Sequence, residues 1–204
     1  MLLLIVCIIS LFFLIVILDW IIIGVVVPVK NGKKENYEKQ YILKAQNRIA
    51  YQKTTECSGF STAYVFRSFG IEADGNDIYA KISHKMKNGA VLPGTLKREI
   101  QGYGFEAGYM KGSLDSLKAD LREGKRVIVL VKTRIDKNWL HYVPIVGYDE
   151  EHIFIAESLD YLANCEEQYY NRKLTNQEFL NFWDTRAWYM PFYKNTYLVI
   201  KKEQ

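Results

Sequence analysis

The amino-acid sequence predicts an α+β domain, N-terminal helices packed on an antiparallel sheet, preceded by one transmembrane helix. Three observations carry this expectation. Composition breaks near residue 28: of the first 27 residues only Ser10, Asp19 and Gly24 lie outside the hydrophobic set, whereas the other 177 hold 49 of the 50 charged side chains. Behind the break, apolar residues recur at helical spacing and then change, after Gly124, to β-branched runs. Two of those runs flank a turn of three residues, too short for a parallel crossover. Helices first and strands afterwards describe an α+β domain rather than a doubly wound sheet, and about 177 residues suffice for one such domain with its own core.

Taken in order, the stretch from Leu2 to Val27 would make about 39 Å of helix, more than a hydrocarbon core of roughly 30 Å. Ile, Leu, Val and Phe surround its whole circumference. A cleaved signal peptide would need a basic start and a small-residue cleavage site, and the segment shows neither. The sequence therefore predicts a single-pass membrane protein, with residues 1–28 as the span, 29–50 as a connector, 51–204 as the domain, and lipid contact through residues 2–27. Lys30, Lys33, Lys34, Lys39 and Lys44 outnumber Glu35 and Glu38 after the span. The positive-inside rule then favours a cytoplasmic domain, with an extracytoplasmic one as the alternative.

Within the connector, Tyr37, Tyr41, Ile42, Ala45 and Ile49 have the spacing of an amphipathic helix. A helix over Ser58 to Phe69 is closed by Gly70, and a second follows Asn76 with Ile78, Ile82 and Met86 on one face. A third begins near Thr95, after Pro93-Gly94, and stops at Gly102. A fourth is capped by Ser113 and ended by Gly124. Strands follow at Val127 to Val131, Leu140 to Tyr148 and His152 to Glu157, the last two joined at Asp149-Glu150-Glu151 as a hairpin. Thr175 with Glu178 forms a capping box that opens a short helix through Phe182, and Thr196 to Ile200 is the final strand.

Cys57 opens the first of the domain helices, where the positive end of the helix dipole favours thiolate over thiol. Ser58 and Gly59 keep that turn small enough for a substrate backbone to approach. Of the three histidines, His84 lies among lysines and His152 follows the hairpin turn, both surface positions; His141 opens an apolar strand and can be held rigidly. Antiparallel pairing across the short turn brings Glu157 towards His141, where a carboxylate would orient the imidazole. Gln52, five residues before Cys57, offers a side-chain amide to an oxyanion, with the Cys57 backbone N–H as the second donor. Asp160 and Asn164 are fallback candidates for orienting the imidazole.

Gln52 and Cys57, followed by His141-Tyr142-Val143-Pro144-Ile145-Val146-Gly147-Tyr148-Asp149 and an acid after the next strand, resemble the peptidase C39-like family, a bacterial branch of the papain-like cysteine peptidases. The resemblance runs from about Gln52 to the C-terminus. It implies a papain-like fold in which Cys57 is the nucleophile, His141 the general base and acid, and Gln52 the oxyanion donor, acting on a peptide or protein substrate. The family's third position is usually aspartate followed by proline; here Glu157 precedes Ser158. A rival resemblance links Glu56-Cys57-Ser58-Gly59-Phe60 to the NlpC/P60 cell-wall peptidases, although the His141 block fits that pattern less well. An inert papain-like module that binds peptides is a third reading.

Other chemistries find no support in the sequence. It contains no Gly-rich phosphate loop and no CxxC or HxxxH pair, so neither cofactor nor metal is expected. Basic residues exceed acidic ones by only five after residue 28 and are scattered, which argues against a nucleic-acid partner. Cys57 and Cys165 are open to two readings, one disulfide or two free thiols.

Overall fold

The computed structural model describes residues 2–23, 38–45, 47–187 and 193–202, with side chains of the first helix through Ile17. In chain order the elements are α1 (Leu2–Ile23), β1 (Tyr41–Ile42), α2 (Cys57–Ser68), α3 (Gly75–Lys81), α4 (Pro93–Gly102), β2 (Phe105–Lys111), α5 (Leu114–Arg122), β3 (Arg126–Lys132), β4 (Leu140–Tyr148), β5 (His152–Ile155), β6 (Arg172–Thr175), α6 (Asn176–Trp183) and β7 (Thr196–Lys202). The strands form one antiparallel sheet in the order β2-β7-β3-β4-β5-β6, with β1 paired to β4. The α+β expectation holds.

The membrane expectation does not. Among the described residues no helix is long and apolar enough to cross a membrane. The single-pass location, the transmembrane helix and the contact with a lipid bilayer are corrected accordingly. The Asp19 side chain and residues 24–27 lie outside the described residues.

The connector is corrected too. Tyr41 and Ile42, expected in an amphipathic helix, instead pair as β1 with Tyr148 and Gly147, and Leu43 N–H donates to the Val146 carbonyl at 2.8 Å. Gly147 makes this possible, because a Cβ there would sit 2.4 Å from the Tyr41 carbonyl oxygen. Sheet pairing thus overrides the local spacing, and the earlier part of the connector, residues 29–37, is outside the described residues.

Both faces of the sheet are covered. In β3, Ile128 and Leu130 pack with Phe66, Leu96 and Ile100 on the α2/α4 side, while Val127, Val129 and Val131 pack with Leu117, Leu121, Phe179 and Trp183 on the α5/α6 side. Five apolar residues in a row therefore mark a strand buried on both faces. Helix ends follow their caps: Ser113 and Thr175 each complete a capping box, and Gly70 carries the left-handed φ of 81° that closes α2. The second helix is shorter than its apolar spacing suggests. It begins at Gly75, capped by the Asp74 carboxylate, and ends at Lys81, because the Lys85 ammonium takes up the carbonyls of Tyr79, Ala80 and Ile82. Met86 is left half exposed.

Helices α2 and α3 meet through Gly59. A Cβ at this position would lie 2.3 Å from the Gly75 carbonyl oxygen and 2.6 Å from the Tyr79 Cβ. Backbone cannot yield cheaply, so Gly59→Ala is expected to lower stability by about 1–3 kcal/mol. Urea denaturation checks this against Gly102→Ala, where nothing lies within 4 Å.

Candidate active site

Cys57 is the first residue of α2, and the N-cap position before it is Glu56, whose side chain makes no cap hydrogen bond. The Glu56 carboxylate turns back instead to accept from the Thr54 N–H at 2.8 Å and the Thr54 hydroxyl at 2.9 Å. Burial disfavours its charge, but these hydrogen bonds outweigh it and hold the carboxyl below its ordinary value. The first turn of α2 therefore keeps its amide dipoles uncapped beside the half-buried Cys57 sulfur.

His141 is the second residue of β4, 2% exposed, and its Nε2 lies 2.6 Å from Glu157 Oε1. With Nε2 facing the carboxylate, Nδ1 is the nitrogen left to serve Cys57, which helps to raise the imidazole. Burial alone would push the imidazole down. The Glu157 charge and the Cys57 and Glu157 hydrogen bonds more than offset it, so the imidazole is raised to about 9.

Glu157 follows β5 and is fully buried. Its two oxygens are divided: Oε1 takes His141 and the Leu159 N–H at 2.9 Å, and Oε2 takes Arg172 Nη1 at 2.8 Å. Asn171 clamps the backbone on both sides, accepting from Glu157 N–H at 2.7 Å and donating to its carbonyl at 2.9 Å. Burial would raise this carboxyl, yet the His141 charge and hydrogen bond, then Arg172 and the Leu159 amide, hold it below the usual range.

Gln52 reaches the same corner from the chain ahead of α2. Its N–H donates to the Ser158 carbonyl at 2.9 Å, and its Oε1 accepts from the Ser158 hydroxyl at 2.7 Å. One Nε2 hydrogen goes to the Thr54 carbonyl at 2.8 Å. A carbonyl only accepts, so the orientation of the amide is fixed with its NH₂ turned towards the start of α2.

The other candidates lie elsewhere. Asp160 is exposed and caps the Tyr161 N–H at 2.8 Å, and Asn164 is exposed and bonds both the N–H and the carbonyl of Lys173. His84 is exposed, and His152 Nδ1 lies 3.0 Å from Asp149 Oδ1. Cys57 and Cys165 are both free thiols, which settles the two readings of that pair. Burial pushes the Cys165 thiol up. The reading of the sequence missed Arg172, Asn171 and Ser158. Ser158 is visible as a departure from the proline of the family pattern; Arg172 opens a short polar strand and Asn171 precedes it, and only sheet pairing brings them to Glu157.

A thiol at a helix start beside an imidazole that is itself bonded to a buried carboxylate can form a thiolate–imidazolium pair and transfer protons to and from a bound acyl group. A model described as the peptidase C39-like family matches residues 37–188. A crystal structure of a C39-like peptidase from Bacillus anthracis superimposes with a TM-score of 0.59 at 13% identity, covering 82% of this chain and 100% of that one. The peptidase domain of Streptococcus ComA, a bifunctional ABC transporter of a quorum-sensing pathway, gives 0.56 at 14% identity, covering 77% and 98%. A double-glycine-motif protease from an AMS/PCAT transporter, solved with its leader peptide, gives 0.53 at 14% identity, covering 81% and 100%. At these identities the structures show a shared fold. No curated protein matches this chain.

Proposed function

The chain belongs to the peptidase C39-like family, and on that premise we propose that residues 51–204 form a cysteine peptidase domain that hydrolyses peptide bonds. The observation that carries the reading is the buried His141–Glu157 pair beside the half-buried Cys57, drawn from β4, the chain after β5 and the start of α2, in which the imidazole is raised to about 9.

In this mechanism the Cys57 thiolate attacks the scissile carbonyl. The developing oxyanion accepts from the Cys57 backbone N–H and from the second Nε2 hydrogen of Gln52. Imidazolium His141 protonates the leaving amine, which departs and leaves an acyl group on sulfur. Neutral His141 then takes a proton from water, and the resulting hydroxide attack releases the acid and restores the thiolate. Glu157 keeps the ring oriented throughout. A peptide substrate draws support from the similar protease solved with a leader peptide.

The test is alkylation of the native chain by iodoacetamide at about pH 6, below the ordinary thiol range, with the labelled cysteine located by peptide mapping. Cys57 is expected to react at least about tenfold faster than Cys165, whose thiol burial pushes up. Equal slow rates at the two positions would sink the peptidase reading.

A further inference from the structure

Resting on the peptidase reading, we propose that Arg172 is a positioning residue of this site: its guanidinium holds the Glu157 carboxylate ionised and turned so that Oε1 meets the His141 ring. Arg172 is 3% exposed, at the start of β6 where it pairs with Ile155, two residues before Glu157. Its Nη1 lies 2.8 Å from Glu157 Oε2, the oxygen that His141 does not use. Burying a guanidinium costs several kcal/mol, and the adjacent Lys173 shows that the same strand can send a cation to solvent. A charge retained inside, aimed at the far oxygen of the candidate acid, points to a role in the site.

The departure from the family pattern explains why such a group is needed. Glutamate has one more methylene and one more torsion than aspartate, so the hydrogen bond to the ring does not by itself fix the carboxylate plane. Arg172 and the Leu159 N–H supply two further anchors, one on each oxygen. The charged and titratable groups around the carboxylate are His141 from β4, with Cys57 of α2 behind it, and Arg172 from β6. On α6, the Phe182 ring lies 5.4 Å from the guanidinium carbon, and Glu178 is a more distant counter-charge to Arg172. Without Arg172 the carboxyl would be protonated at a higher pH. Imidazolium would then lose its counter-charge, and with it the thiolate would be lost on the acid side.

The experiment measures Cys57 alkylation of the 204-residue chain from about pH 4 to about pH 10, across the thiol and imidazole range. Arg172→Met is expected to move the acid limb of the rate profile upwards by at least about one pH unit. Arg172→Lys, which can restore a cation at the single Nη1 contact, should keep the limb within about a third of that shift. In a Glu157→Gln background, Arg172→Met should move it no further upwards, because the arginine acts through the carboxylate. A folded Arg172→Met chain with an unmoved limb, or an equal shift in the Glu157→Gln background, overturns the inference. If Arg172→Met does not fold, Arg172→Lys decides: a limb displaced as far as in Glu157→Gln overturns it. Failure of the underlying peptidase reading looks different, since unmodified Cys57 then reacts no faster than Cys165, and the role of Arg172 falls with it.

Discussion

His141→Ala is expected to lower peptide hydrolysis by about 10²–10⁴-fold, the usual range for removing a positioned proton-transfer group. The ring is the link between sulfur and carboxylate, so its loss removes the base, the acid and the partner of the thiolate in one step. The fold should survive, because the ring sits near the start of β4 and the backbone pairing of His141 with Val131 does not depend on it. Hydrolysis of a peptide library by the purified variant, compared at matched folded fraction by circular dichroism, checks the expectation. A variant that keeps its activity would remove His141 from the mechanism.

Glu157→Gln should have the largest effect on stability, about 3–5 kcal/mol lost, because it strands a buried guanidinium without its counter-charge. Adding Arg172→Met is expected to recover much of that loss, as an uncharged pair of similar volume replaces a half-broken ion pair. The dependence on pH follows from the two shifts. Glu157 is held below the ordinary carboxylate value of 4.5, so its contribution is present above 4.5 and fades as pH falls through the folded value. His141 is raised from 6.5 to about 9, so its contribution is complete below 6.5 and is lost as pH rises towards 9. Urea midpoints should therefore be highest between 4.5 and 6.5 and should decline above, with the decline flattened in Glu157→Gln. A midpoint that rises across pH 6.5 to 9 would contradict the pairing.

How far the sequence reveals all this depends on whether the signal is local. Helices α2, α4, α5 and α6 are legible because caps and apolar spacing lie within a dozen residues. Strand β2 went unread although Phe105, Ala107 and Tyr109 alternate with polar or small residues, because it follows a helix directly and pairs only with β7, some 90 residues on. The four residues of β6 carry a polar sequence with no period, and β1 exists only because Gly147 admits it. The site divides in the same way. Cys57, His141, Glu157 and Gln52 are marked by residue type and by position relative to predicted elements. Arg172 and Asn171 act across the sheet from a strand with no pattern of its own, so nothing near them in the chain signals their partner.

The register shift between Ile145 and Gly147 has a consequence in simple counting. Ile145 faces Ile155, but beyond the shift Tyr148 faces Ile153, so β4 changes from odd to even numbers on a given face while β5 stays odd. Carried back along the strands, the Ile145 register sets Glu157 opposite Val143, on the same face as His141. The unshifted register would set it opposite Pro144, facing the other way. The alignment of acid and imidazole is thus stored in the length of one strand rather than in the chemistry of any side chain. A strand in which Val146 was drawn into the regular ladder opposite Ile155, with every named residue present, would send the carboxylate to the other side of the sheet.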